Sequence, residues 1–289
     1  MKKSTPYILL VPALVFTIFV LVYPLIQNLI NSFSDASLIK GGGELVGLHN
    51  YEHIATDGLF WRAFRNTAIY AVGGTLLALL VGLGFALLLN ARTGKLNSIA
   101  GTLYTLPWVI SPVVAGFAWK WMLNDRFGIV NYLLSGAGVG GPGTPWLGDP
   151  RTALICVILA RVWQFYPFAM VMFLAGLQAI PQEQYEAAAV DGATTLKKFV
   201  HITLPNLKAV SSVLSVLGVI WSFNDFNMVF VMTRGGPLNA SMVLPVLVRD
   251  ISFVHFDLGR GSALSIVIFL MLLTLSYLYL KVSGGREGE

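Results

Sequence analysis

Two charged residues, Arg161 and Asp225, interrupt segments that are otherwise fit for hydrocarbon. An ionisable side chain at membrane depth is costly enough to mark a functional position by default. Each lies on a stripe of helical spacing. Arg161, Gln164, Phe165 and Phe168 recur at i, i+3, i+4 and i+7, and Gly218, Trp221, Ser222 and Asp225 repeat the pattern, so each set shares one helix face. Aromatic rings beside hydrogen-bonding groups suit a sugar, whose C–H faces are apolar and whose hydroxyls need polar atoms. The structural alternative is that the two charges neutralise each other as an interhelical pair, and the two readings are compatible. Asn224 and Asn227 adjoin the second stripe, where they either line the same pathway or hydrogen-bond to a neighbouring helix.

The elements that must position these stripes are membrane spans. Of 289 residues, 11% are charged and 56% hydrophobic, and mean hydropathy is +0.73, against roughly 25% charged residues in soluble chains. No charge occurs from Ser4 to Ser34, Asn66 to Ala91, Leu96 to Trp119 or Gly261 to Leu280. Each block can cross a hydrocarbon layer as a helix of about 20 residues. Two further apolar stretches carry Arg161 and Asp225. The fold expected is an all-α polytopic membrane protein with six transmembrane helices, near 7–30, 67–90, 98–122, 152–178, 208–232 and 262–281, in one domain over 1–289. The run after Lys2 and Lys3 is too long for a secretory signal and lacks a small-residue cleavage site, so it reads as a retained span.

An even number of spans puts both termini on one side. Lys and Arg near the span ends are almost balanced between the two sides. The short 91–97 connection, with Arg92 and Lys95 and no acid, and the N-terminal tail favour both termini inside. Lys197, Lys198, Lys208, Lys281 and Arg286 then also lie inside, and 31–66, 123–151 and 233–261 are external loops. Residues 59–65 read as an amphipathic stretch at the interface. The Gly- and Pro-rich 135–150 reads as loop, and Gly235-Gly236-Pro237 as a turn closing the fifth span. Pro107, Pro112 and Pro167 predict kinks, which fit either a polar bundle interior or the general frequency of proline in membrane helices.

Several functions are excluded on residue types. A net charge of +5 without a basic run argues against nucleic acid. Cys156 is the single cysteine, so neither a disulfide framework nor a thiolate metal site can be built. His49, His53, His201 and His255 fall in expected loops without shared ligand spacing, so no metal is expected. An intramembrane enzyme would need a nucleophile–base pair or metal set at depth, and none is present. An ion- or proton-coupled carrier remains as an alternative, with Arg161 and Asp225 as a relay, although no inverted repeat is visible.

The longest inside segment, 179–207, is patterned as helix, bend, helix. Pro181 starts the first piece, Gln182 to Val190 supplies helix formers, and Gly192 interrupts it. Thr194 opens the second piece, with Pro205 past its end. Tyr185, Ala188 and Ala189 group on one face, and Glu183 and Glu186 towards another. Such a knob suits a groove on a partner, or else rests on the membrane surface, for which its acidic first piece is poorly suited.

Glu186-Ala187-Ala188, three residues, Gly192, nine residues, then Ile202, Leu204 and Pro205 reproduce the loop of binding-protein-dependent ABC importer permeases with every spacing kept. Gly47-Leu48-His49-Asn50-Tyr51, Phe60-Trp61 with Asn66-Thr67, Leu106-Pro107 with Trp119-Lys120-Trp121, and Thr233-Arg234-Gly235-Gly236-Pro237 resemble the carbohydrate branch, specifically its maltose-type first permease subunit. The likeness covers about residues 7–282.

The resemblance implies a type I ABC importer permease fold in the inner (plasma) membrane of a prokaryote. It also implies a second homologous permease, two ATP-binding cassette ATPases and an extracytoplasmic solute-binding protein. The loop implied to couple to an ATPase comprises Glu186, Ala187, Ala188, Asp191, Gly192, Ile202, Leu204 and Pro205, with Glu186 as the charged contact and Gly192 as the bend. ATP and Mg belong to the partners, and no cofactor is expected on this chain. Consistent with that, Gly94-Lys95 lacks the earlier glycine of a phosphate-binding loop and is followed by Leu96. In maltose-type permeases the sugar is held by the stretches matching Trp163-Gln164-Phe165-Tyr166-Pro167 and the fifth span. Arg161 and Asp225 depart from the uncharged amides expected there, so maltose is not implied and an anionic or modified sugar is suggested.

Overall fold

The computed structural model describes residues 5–91, 95–137 and 143–284. Lys2, Lys3, Arg92 and Arg286 of the charge reading lie outside the described residues, as do Gly94, residues 138–142 of the external loop and the Lys95 side chain. The described elements are helices, with two isolated bridges, Ser34 to Leu45 and Ser37 to Asp257. In chain order they are α1 (5–32), α2 (His49–Thr56), α3 (Gly58–Asn90), α4 (Lys95–Val109), α5 (Pro112–Met122), α6 (Ile129–Gly136), α7 (Ala153–Gln178), α8 (Gln182–Val190), α9 (Thr195–Asn206), α10 (Lys208–Phe223), α11 (Asn227–Met232), α12 (244–254) and α13 (Leu258–Gly284). Single π-helical turns occur at Ile18–Val22, Ile69–Gly73, Phe199–Thr203 and Asp250–Val254.

Among the described residues four helices, α1 from Leu10, α3, α7 and α13, are each long and apolar enough to cross a membrane. There are six candidates if the bent pairs α4/α5 and α9/α10 each count as one. Three boundaries differ from the sequence expectation. The 59–65 stretch forms the first turns of α3, with Phe60 and Ala63 buried, and the helix runs on without a break to Asn90, so this span begins earlier than residue 67. The third expected span turns by 96° between Val109 and Pro112. Pro112 forces this break, since it has no N–H to donate and drives Ser111 into an extended conformation, φ −54° and ψ 138°. Residues 208–232 are not one helix but α10 and α11, separated at 224–226.

The chain forms two compact units, one of residues up to Trp61 with those from Leu247, the other Arg62–Val246. In the first, the end of α1 packs on α13. Asn50 is buried and its Nδ2 donates to the carbonyls of Ser32 (3.0 Å) and Ser34 (2.8 Å), while Tyr51 donates to Ser32 Oγ at 2.7 Å. Asn50 therefore satisfies carbonyls at and just past the end of α1, and Tyr51 holds the Ser32 hydroxyl that itself donates to Leu29 O. The exposed apolar surface of α1, from Leu10 to Ile30, suits lipid.

The second unit is organised by α3 against α7. Gly74, Ala78, Gly82 and Ala86 recur every fourth residue on the buried face of α3, a row of small side chains that lets two backbones approach. A Cβ on Gly82 would meet Ala169 Cβ at 2.8 Å and Tyr166 O at 2.9 Å. Gly82→Leu is therefore expected to destabilise the unit by about 1–3 kcal/mol through overpacking. Thermal unfolding of the purified protein measures this, and an unshifted midpoint would refute the close approach.

The turn after α11 is held from α3. Asn66 Nδ2 donates to the carbonyls of Ala240 and Met242, both at 3.0 Å, and Thr67 Oγ1 accepts from the Leu244 N–H at 2.9 Å. Within that turn Ser241 Oγ donates to Gly236 O at 2.6 Å. The external 123–151 loop also contains a helix, α6, that its Gly and Pro content did not announce. Buried Asn131 ties it down, donating to Asn124 O, Asp125 O and Thr144 O and accepting from Trp146 Nε1 at 2.7 Å.

Candidate functional site

The two stripes meet inside the second unit. Arg161 Nε lies 3.8 Å from Asp225 Oδ2, an ion pair too long for a hydrogen bond, with 12% and 9% of the two side chains exposed. The shorter contact to the carboxylate comes from elsewhere: Tyr70 O–H donates to Asp225 Oδ2 at 2.6 Å. Asp225 Oδ1 accepts from the Met228 N–H at 3.2 Å, serving one donor of the first turn of α11 as a cap does. Arg161 Nε reaches Ser222 Oγ at 3.5 Å, and its guanidinium lies over the Phe165 ring at 4.9 Å. Among the described residues neither Nη atom of Arg161 is hydrogen-bonded.

The aromatics form a row. Phe168 lies 5.3 Å from Trp108, 5.4 Å from Trp221 and 5.8 Å from Phe165, and Phe165 meets Trp221 edge-on at 5.9 Å. Trp108 and Trp221 are half exposed, whereas Phe165 is buried. Asn224 and Asn227 are exposed beside the 224–226 break, and Asn224 Nδ2 donates to Ile220 O at 3.1 Å.

Two residues of the expected pathway have bracing positions. Gln164 is buried and its Nε2 donates to Ile110 O at 3.0 Å, satisfying a carbonyl freed where α4 turns into α5. Its Oε1 is buried without a protein partner. Gly218 is a contact point: a Cβ there would sit 2.5 Å from Thr75 Cγ2 and 3.1 Å from Phe165 Cε1. Sequence reasoning missed Tyr70. It lies in a charge-free block within the π-turn of α3, and its one signal was a phenol that needs a partner when buried.

The 179–207 segment is built largely as its pattern suggests. Pro181 caps α8, and Gly192 at φ +73° ends it. The Gly192 N–H donates to Ala189 O (3.1 Å) and the Ala193 N–H to Ala188 O (2.8 Å), the paired bonds of a Schellman cap. Thr194 Oγ1 accepts from the Lys197 N–H to start α9. Pro205 lies inside α9, not past its end. The π-turn accommodates it, since the Leu204 N–H reaches back to Phe199 O just before the proline that has none to offer.

Tyr185 and Thr203 hydroxyls meet at 2.9 Å, and Asn206 Nδ2 donates to Gln184 Oε1 at 3.3 Å. Tyr185 and Ile202 pack against the core cluster that includes Leu177, Ile180 and Leu207. Glu186, Ala187, Asp191, Leu204 and Pro205 are exposed, Ala188 is half-buried, and Val190 is 89% exposed. α8 thus presents an outward face that no other described residue covers.

The histidines are not all in loops. His49 and His53 lie on α2 with ring centroids 6.5 Å apart, and His201 lies in the π-turn of α9. Among the described residues no three His, Cys, Asp or Glu side chains come together to hold a metal, and Cys156 is a free, buried thiol.

Residues 78–282 match the family described as the binding-protein-dependent transport system inner membrane component. Among relatives, the trehalose/maltose transport system permease protein MalF of Thermococcus litoralis is 34% identical, with 97% of this chain and 94% of that protein covered. The sulfoquinovosyl glycerol transport system permease protein SmoG of Agrobacterium fabrum is 33% identical, over 97% of this chain and 90% of that protein. The fold is similar to a chain of the crystal structure of a bacterial alginate ABC transporter in complex with an alginate pentasaccharide-bound periplasmic protein. That likeness has a TM-score of 0.84 at 21% identity, covering 98% of this chain and 94% of that one. A self-sufficient ion- or proton-coupled carrier finds no support in these relationships. From the matched residues and the near full-length relatives, this all-helical chain belongs to the inner-membrane permease family of binding-protein-dependent ABC transporters and has the type I importer permease fold.

Proposed function

We propose that the chain is the membrane-spanning subunit of an ATP-driven importer that translocates a sugar or sugar derivative delivered by an extracytoplasmic binding protein. In this reading residues 1–289 act as one permease, six segments cross the bilayer, and both termini and 179–207 lie on the cytoplasmic side. A second homologous permease completes the pathway. Two partner ATPases bind ATP and Mg and receive α8 in a groove. Closure of the ATPases then rocks the spans between two access states, biased by nucleotide on one side and by the loaded receptor on the other.

The observation that carries this reading is the outward, uncovered face of α8, held stiffly by its Schellman cap and by Tyr185 and Asn206, since a lever must be rigid and must touch something else. The sugar is supported by the Trp108, Phe168 and Trp221 row beside exposed Asn224 and Asn227. Relatives named for trehalose/maltose and for diacetylchitobiose favour the same class.

In proteoliposomes carrying the complete complex, uptake of the receptor-delivered sugar is expected to require ATP and Mg inside. It should survive an uncoupler. Uptake without nucleotide, or uptake stopped by the uncoupler while ATP hydrolysis continues, would refute the reading.

A further inference from the structure

Arg161 and Asp225 could each be taken as a group that meets substrate, but their surroundings are unequal. Asp225 is occupied: Tyr70 donates to Oδ2 at 2.6 Å, the Met228 N–H donates to Oδ1, and the Arg161 cation stands 3.8 Å away. Arg161 is compensated in charge but not in hydrogen bonds, because its contact to Ser222 is 3.5 Å and among the described residues its Nη atoms donate to nothing. A guanidinium whose charge is cancelled and whose donors are unspent can serve hydroxyl oxygens without demanding an anion.

From this arrangement we infer that the site selects uncharged sugars, that Arg161 is the hydroxyl donor, and that Tyr70 is a positioning residue that keeps Asp225 in place to cancel Arg161. The inference rests on the sugar reading above and reverses the suggestion of an anionic substrate that arginine alone carries. An acidic sugar would have to compete with a carboxylate fixed by two hydrogen-bond donors, from α3 and α11, and paired with the cation on α7. Tyr70 suits the role because it is fully buried within the π-turn of α3, so its hydroxyl has little freedom to follow a passing ligand.

The test is equilibrium binding to the assembled complex in nanodiscs without its receptor. Trehalose, maltose and diacetylchitobiose serve as uncharged probes and digalacturonate as the acidic one. The wild type is expected to prefer an uncharged probe. Asp225→Asn should move the ratio towards digalacturonate by about tenfold, between the effect of one cation on one anion in bulk water and the larger one near a protein surface. Tyr70→Phe, which keeps the ring and loses only the hydroxyl, should move it in the same direction by less, a shift that mere loosening of the fold would not produce.

The double change Arg161→Gln with Asp225→Asn should return the preference to uncharged probes. Should Asp225→Asn fail to assemble, Tyr70→Phe and the double variant decide. A wild type that prefers digalacturonate, or ratios unmoved across the variants, overturns the inference while leaving the sugar reading standing. Binding of neither class by the wild type overturns both.

Discussion

A Glu186→Lys chain is expected to reach the membrane and assemble, yet to lose ATP-driven uptake by roughly tenfold to a hundredfold, the worth of one charge-assisted contact of about 1.5–3 kcal/mol. The fold should tolerate the change. Glu186 is exposed in the middle of α8 and makes no ion pair among the described residues, so its own chain loses nothing. Loss of uptake would therefore report on another polypeptide. Measuring uptake and ATP hydrolysis on the same reconstituted complex separates a broken linkage from a broken enzyme. Uptake at the wild-type rate would remove Glu186 from the coupling contact.

Arg161→Ala has the second large effect, and it falls on stability as well as transport. Truncation leaves the Asp225 carboxylate buried with Tyr70 and the Met228 N–H but without a cation. Breaking a buried pair from one side costs about 3–5 kcal/mol, and the lower end applies because about a tenth of each side chain stays accessible to solvent. The melting midpoint of the purified complex should fall, and uptake should fall with it. Removing both partners, as Arg161→Gln with Asp225→Asn, should recover most of the midpoint, because no uncompensated charge remains. A single variant as stable as the wild type would show that the pair contributes nothing to holding α7 against the 224–226 break.

What the sequence made legible follows from which interactions are local. Charge-free blocks locate α1, α3 and α13, and an apolar stretch broken only by Arg161 locates α7, because hydrophobic length is a local property. The bend at Gly192 and the caps at Pro181 and Thr194 are likewise written into neighbouring residues. Arg161 and Asp225 do meet, but Asp225 lies in the 224–226 break beyond α10, so it does not continue the helical stripe of Gly218, Trp221 and Ser222 that its spacing suggests. The pair's strongest tie, to Tyr70, spans 155 positions and leaves no periodic trace.

Breaks were harder to place than spans. Pro112 and Pro167 look alike in sequence, yet Pro112 begins a new helix after a 96° turn while Pro167 stays within α7. The difference lies in tertiary support, since Gln164 is present to take up the Ile110 carbonyl at the first site. The 224–226 break had no proline to announce it, and the Asp225 carboxylate that caps α11 is recognisable as a cap only once the helix has ended.

The bonds that stiffen the bent arm all begin and end inside it: Ala193 to Ala188, Tyr185 to Thr203 and Asn206 to Gln184. Residues 181–206 are thus a self-contained cassette seated, through Tyr185 and Ile202, on the apolar core that includes Leu177, Ile180 and Leu207. A chimaera that grafts this piece onto another permease should keep the donor's choice of motor wherever the host offers the tyrosine an equivalent seat.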